Sequence, residues 1–191
     1  MELQGERLIP ASVDKTWASL NDPEVLRACI AGCESLERTG EDSLTAVVAL
    51  KVGPVSARFK GNLKMTNIQA PNGYTINFDG QGGVAGFGKG SADVALTAEG
   101  AQTRLKYNAR AQVGGKMAQI GSRLIDAAAG KITEDFFKAF EAHLQASAAP
   151  AGAEPAAAAV AIDTGGNAGI GKLWWLIGAV VLLAILYFVI R

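Results

Sequence analysis

The hydrophobic period of this chain changes along its length, and those changes decide which elements it can form. Over residues 55–65, Val55, Ala57, Phe59, Gly61, Leu63 and Met65 alternate with Ser56, Arg58, Lys60, Asn62 and Lys64. Tyr74, Ile76 and Phe78 repeat the pattern, as do Ala92, Val94, Leu96 and Ala98, then Leu105, Tyr107, Ala109, Ala111 and Val113. A period of two marks strands with one buried and one wet face. Turn signals at Gly40-Glu41-Asp42, Gly53-Pro54, Pro71-Asn72-Gly73 and Glu99-Gly100 separate the runs, which reads as an antiparallel meander. Glu2 to Ile9 and Ser43 to Val52 suit two further strands. Between them Ser12 is placed to cap a helix over Val13–Leu20, and Asp22-Pro23-Glu24 to start a second short one.

After Gly114-Gly115 the period becomes 3.6. Met117, Ile120, Leu124, Ala128, Ile132, Phe136, Phe140 and Leu144 form one stripe, predicting a single helix of about 30 residues. A helix with one apolar face must pack across a sheet with one apolar face. The fold class is therefore α+β: a curved antiparallel sheet of about seven strands wrapped around a long helix. Phe59, Met65, Phe78, Leu96, Tyr107, Met117, Ile120, Leu124 and Ala128 point between the two layers. Small residues among them (Gly61, Ala92, Ala109, Ala128) predict an apolar ligand cavity rather than a filled core. Val84 and Phe87 lie in a glycine-rich stretch, residues 80–90, read as a mobile loop and a lid over the cavity.

The end of the chain has another character. Leu173 to Ile190 carries no charge and is closed by Lys172 and Arg191, with Trp174, Trp175 and Tyr187 near its ends. Eighteen helical residues span about 27 Å, close to the roughly 30 Å of bilayer hydrocarbon. The expected organisation is a domain over 1–145, an Ala/Gly/Pro linker over 146–171 and a transmembrane anchor over 172–191. As a coil the linker reaches about 28 Å root-mean-square. The opening residues Met1-Glu2-Leu3-Gln4 do not read as a secretion signal, so the domain is expected on the cytoplasmic side of the cytoplasmic membrane. Cys29 and Cys33 are then expected as free thiols.

Motifs for chemistry are sparse. Gly83 to Lys89 matches G-x-x-x-x-G-K, but Gly90 follows in place of a hydroxyl residue and a strand follows in place of a helix, so nucleotide binding is not expected. The single histidine, His143, has no nucleophile placed beside it, and Asp126 reads as a solvated helix residue. Cys29 and Cys33 lack metal-ligand spacing and companions. No catalytic residue, no metal site and, at zero net charge, no nucleic-acid partner is expected. Arg58, Lys60, Lys64, Arg104, Lys106 and Arg110 make the outer sheet face locally basic, suited to anionic headgroups or an acidic partner.

Several segments resemble the G subunit of carbon monoxide dehydrogenase, a family within the START/polyketide-cyclase-like superfamily. They are Cys33-Glu34-Ser35-Leu36-Glu37, Val52-Gly53-Pro54-Val55, Arg58-Phe59-Lys60-Gly61, Gly86-Phe87-Gly88-Lys89-Gly90 and, most specifically, Gly114 to Ile125. The resemblance covers about residues 1–145 and implies a helix-grip fold around an apolar cavity. It also implies a non-enzymatic accessory role that recruits a molybdenum-containing carbon monoxide dehydrogenase, or a related hydroxylase, to the membrane. With the cavity and the anchor taken together, the expected ligand is a lipophilic quinone, menaquinone or ubiquinone, that accepts the enzyme's electrons. The alternatives are a plain adaptor without ligand, a carrier of another lipophilic molecule, and a cyclase or hydrolase using the pocket.

Overall fold

A computed structural model describes residues 1–147. The predicted meander is present as one seven-stranded antiparallel sheet in the order β1-β7-β6-β5-β4-β3-β2. The strands are β1 (Glu2–Ile9), β2 (Cys33–Gly40), β3 (Ser43–Val52), β4 (Val55–Gln69), β5 (Gly73–Gln81), β6 (Phe87–Glu99) and β7 (Gln102–Gly114). Helices α1 (Val13–Leu20) and α2 (Pro23–Cys29) join β1 to β2, and α3 (Lys116–Gln119) and α4 (Ser122–Ala146) follow β7. Ala146, expected to open the linker, is the last residue of α4; from residue 148 onward the predicted linker and transmembrane segment lie outside the described residues. Among the described residues no helix is long and apolar enough to cross a membrane.

Local chemistry sets the short helices as expected. The Ser12 hydroxyl accepts from the Lys15 amide at the start of α1, and the Asp22 carboxylate accepts from the Glu24 amide at 2.9 Å at the start of α2. Pro23 occupies the first turn of α2, where a missing N–H costs nothing.

The helix after β7 differs from the sequence reading in two ways. It is not continuous: α3 ends at Gln119, and Gly121, at φ +91°, separates it from α4. Glycine adopts that conformation without the Cβ clash other residues meet, so the chain turns there although the apolar stripe runs on. The buried face also differs. Phe137, Phe140 and Leu144 are buried, whereas Leu124 is 52% and Ile132 36% exposed. Helix α4 is thus gripped by its C-terminal half, which packs with Ile9, Leu20, Val25, Cys29, Leu96 and Leu105. Each such side chain contributes about 1.5–3 kcal/mol of burial. Arg7 reinforces this end by pairing with Glu134 and lying 5.6 Å from the Phe137 ring centre. The N-terminal half of α4 has no comparable burial.

Candidate functional site

Because the helix is held at one end, the inner face of the sheet divides into three packed regions. The first is the α1–α2–α4 core just described. The second gathers Leu36, Leu44, Ala46, Met65 and Tyr74. The third, under α3 and the start of α4, gathers Val52, Ala85 and Met117 with Phe59, Val113, Ile120 and Ala128.

This division separates the predicted cavity residues. Phe59, Met117, Ile120 and Ala128 do come together in the third region. Leu96 belongs to the first and Met65 to the second. Tyr107 packs against the first, 5.5 Å from Phe137 between ring centres and across Gly5. Phe78 sits on the inner face between Leu63 and Gly90, half-buried. Val84 and Leu124 are exposed, and Phe87 is partly so while lining a groove.

The sheet register reveals a floor with no side chains. Ala46 pairs with Gly61, Gly61 with Gly80, Gly80 with Gly88, and Gly88 with Val113. The pleat puts this row on the same face as Leu63, Phe78 and Leu96. None of the three glycines has a positive φ. A Cβ at Gly61 or Gly80 would meet only backbone at 3.5–3.6 Å, and one at Gly88 would meet nothing within 4 Å. These glycines are not required by backbone conformation; they leave space open above the sheet.

A groove of about 500 Å³ includes Val113 at the end of that row, although none of the three glycines lines it. Its sheet wall is Phe87 and Lys89 on β6 and Ala111, Gln112 and Val113 on β7, and its helix wall is Ala118, Ser122, Ile125 and Asp126. A second hollow of about 680 Å³ shares Met1, Lys89, Ala111 and Gln112 with it. Of the residues expected from sequence to line a cavity, only Phe87 borders the 500 Å³ groove. The break at Gly121 sets where Ala118, Ser122 and Ile125 point, and it leaves no mark on the hydrophobic period. The pair Gly114-Gly115 and the later Gly121 were the available signals.

The glycine-rich segment is not a loose loop. Residues 83–85 form a single 3₁₀ turn, Ala85 is buried, and the Gly82 amide donates to the Gly86 carbonyl at 2.8 Å. Gly86, at φ +113°, lies so close to β7 that a Cβ would collide with the Gly114 carbonyl oxygen. A Cβ at Gly114 would strike the Phe87 ring, and one at Gly82 the Phe59 ring. The segment is clamped onto the β7–α3 junction, with Val84 projecting, 85% exposed.

The outer sheet face is less basic than its sequence suggests. Arg58 pairs with Glu34, Arg104 with Glu6 and Glu99, Lys106 with Glu6 and Arg110 with Glu2. Edge strands β1 and β2 supply most of these carboxylates, and their position was not readable before the strand order was known. Lys60 and Lys64 remain without an ion pair among the described residues.

The groove mixes apolar side chains (Phe87, Ala111, Val113, Ala118, Ile125) with the polar Lys89, Gln112, Ser122 and Asp126, a lining able to contact a small molecule and orient its polar end. Among the described residues, no group of three His, Cys, Asp or Glu side chains is placed to hold a metal ion. His143 lies in the last turn of α4, about 30 Å along the helix from Ser122. Cys29 and Cys33 are free, and burial raises both thiols above their ordinary range.

A family model described as the G subunit of carbon monoxide dehydrogenase (CoxG) matches residues 5–145. Among solved structures, a conserved protein from Geobacillus kaustophilus is 32% identical, with a TM-score of 0.73 over 77% of this chain and 97% of its own. A START superfamily protein from Mycobacterium smegmatis is 14% identical, with a TM-score of 0.61 over 76% and 98%. The Zhui aromatase/cyclase from Streptomyces sp. R1128 is 12% identical, with a TM-score of 0.58 over 80% and 98%. The last two show the shared fold alone. No curated protein matches the chain.

Proposed function

Since the chain belongs to the CoxG family of carbon monoxide dehydrogenase G subunits, we propose that it is a membrane-tethered accessory protein of a molybdenum-containing carbon monoxide dehydrogenase or related hydroxylase. It holds a lipophilic quinone in its groove to accept that enzyme's electrons. Family and fold are those of hydrophobic-ligand-binding accessory proteins, which supports the coarse part of this reading. The observation that carries the finer part is the row Gly61–Gly80–Gly88, open space on the inner face that ends at Val113, where a groove of mixed polar and apolar lining begins. A quinone headgroup needs a small number of polar partners, and Lys89, Gln112 and Ser122 supply donors at the groove. Its tail needs apolar cover outside the bilayer, which Val113, Ile125 and the third packed region supply.

The uncharged run from Leu173 to Ile190 supports the membrane part. It keeps the groove near the pool from which a quinone is drawn, with the domain on the cytoplasmic side. The test is extraction of the purified full-length chain in detergent with organic solvent, followed by analysis for menaquinone and ubiquinone and titration with each. Recovery or saturable binding of a quinone is expected. Its absence from the extract together with no binding on addition overturns the reading.

A further inference from the structure

Three chain segments converge around the start of α4, next to Phe87 at the border of the groove. They are the turn joining β3 to β4, the 3₁₀ turn with the start of β6, and the end of β7 with α3 and the first turn of α4. Their convergence is close: Leu124 Cδ1 lies 4.0 Å from a Cβ placed on Gly53, and Gly86 abuts Gly114 and Gly115. Here the domain exposes Val84, Phe87 and Leu124, three large apolar side chains. Residues 51–57, 82–90 and 111–126 carry Lys51, Lys89, Lys116 and Arg123 against the single carboxylate of Asp126. None of these four cations forms an ion pair among the described residues, in contrast to Arg58, Arg104, Lys106 and Arg110.

We propose that this end of the domain is a docking face for an anionic lipid surface, with Val84, Phe87 and Leu124 entering the headgroup region and Lys51, Lys116 and Arg123 meeting the lipid charges. Apolar tips ringed by unpaired cations complement a surface that is negative outside and apolar within. An acidic protein partner would answer the cations alone, whereas a bilayer interface answers the cations and covers the apolar tips together. The proposal deepens the quinone reading, on which it rests for its purpose: Phe87, which borders the groove, belongs to the docked face.

The experiment is hydrogen–deuterium exchange on the full-length chain in nanodiscs of phosphatidylglycerol or of phosphatidylcholine, without quinone. Exchange over residues 82–88 and 116–125 should slow in the anionic discs only. Each cation at an anionic surface is worth about a fivefold change in partition. A Lys51→Glu/Lys116→Glu/Arg123→Glu variant, all surface positions, should thus lose the protection while keeping its far-ultraviolet spectrum. Val84→Ser should weaken it. Equal exchange in both kinds of disc overturns the proposal. So does protection that survives the triple variant, or that appears in detergent and grows with protein concentration, which would mark a second copy as the occupant. Quinone extraction is done separately in detergent, so loss of docking with retained quinone sinks only this inference. Docking without quinone sinks only the quinone reading.

Discussion

Thr103 Oγ1 donates a 2.8 Å hydrogen bond to the carbonyl oxygen of Ala11. Thr103 Oγ1 in turn accepts from Thr16 Oγ1 at 3.3 Å, and both threonines are fully buried. This relay ties β7 to the segment entering α1, and its polarity makes the two ends unequal. Thr103→Val strands the Ala11 carbonyl and the Thr16 hydroxyl together, at a cost of about 2–3 kcal/mol. Thr16→Val leaves the bond to Ala11 intact and costs about 1 kcal/mol or less. Urea unfolding of the two variants, at unchanged slope, should show this order; equal losses would refute the directional relay.

Gly86 and Gly83 both have positive φ, but only Gly86 lacks room. Gly83→Ala meets no neighbour and should cost about 1–2 kcal/mol of left-handed strain. Gly86→Ala adds a collision with the Gly114 carbonyl and should cost about 3 kcal/mol or more. The melting temperature separates them. Similar shifts would mean that the 3₁₀ segment is not clamped on β7.

Helix α4 should report its uneven grip. Phe140 is wholly buried, so Phe140→Ala should cost about 3–5 kcal/mol. Leu124→Ala, on the same stripe by sequence but 52% exposed, should change stability by about 0.5 kcal/mol or less. Comparable losses at both positions would place the start of α4 against the sheet and remove the physical basis for the groove.

The contrast between Phe140 and Leu124 marks where the sequence was legible. Alternation is a local property, so β4 through β7 could be read from their own residues, and so could the caps at Ser12 and Asp22. How far a helix lies along a curved sheet is not local. Sheet curvature sends Met65 and Leu96 to different packed regions although both sit on the inner face. The stripe through Ile120 and Leu124 ignored Gly121, because one glycine inside a helix costs only about 1 kcal/mol and need not end it. The buried register passes through Phe137, not Phe136 alone, a choice two adjacent aromatics leave open. Gly61 was readable as a small inward residue. Its alignment with Gly80 and Gly88 required the strand register.

Burial holds the Tyr74 phenol well above its ordinary value of 10.0, and its ring meets Trp17 edge-on with centres 5.3 Å apart. The unfolded chain ionises near the ordinary value while the folded one does not. The stabilising contribution is therefore complete below pH 10 and is lost progressively as pH rises above it. Unfolding free energy should fall with pH in that alkaline range, and Tyr74→Phe should flatten the fall while changing stability near pH 7 by about 1 kcal/mol or less. An unchanged alkaline slope in the variant would assign the loss to other groups.

Gly88 gives the sharpest test of the open floor. Its φ is not positive and a Cβ there meets nothing within 4 Å. Gly88→Val therefore introduces a β-branched residue into a strand at a position whose Cβ has open space around it. Stability should be unchanged or rise by about 0.5–1 kcal/mol. The added isopropyl group occupies space that a bound quinone would use. If bound ligand then has to displace it, the penalty is about 1–3 kcal/mol, or roughly 5- to 150-fold in affinity. Titration of the full-length variant in detergent measures this beside the melting temperature. A gain in stability with a loss of binding identifies the row as functional space kept clear at the expense of strand propensity. Undiminished binding would move the ligand off the floor and into the outer groove alone.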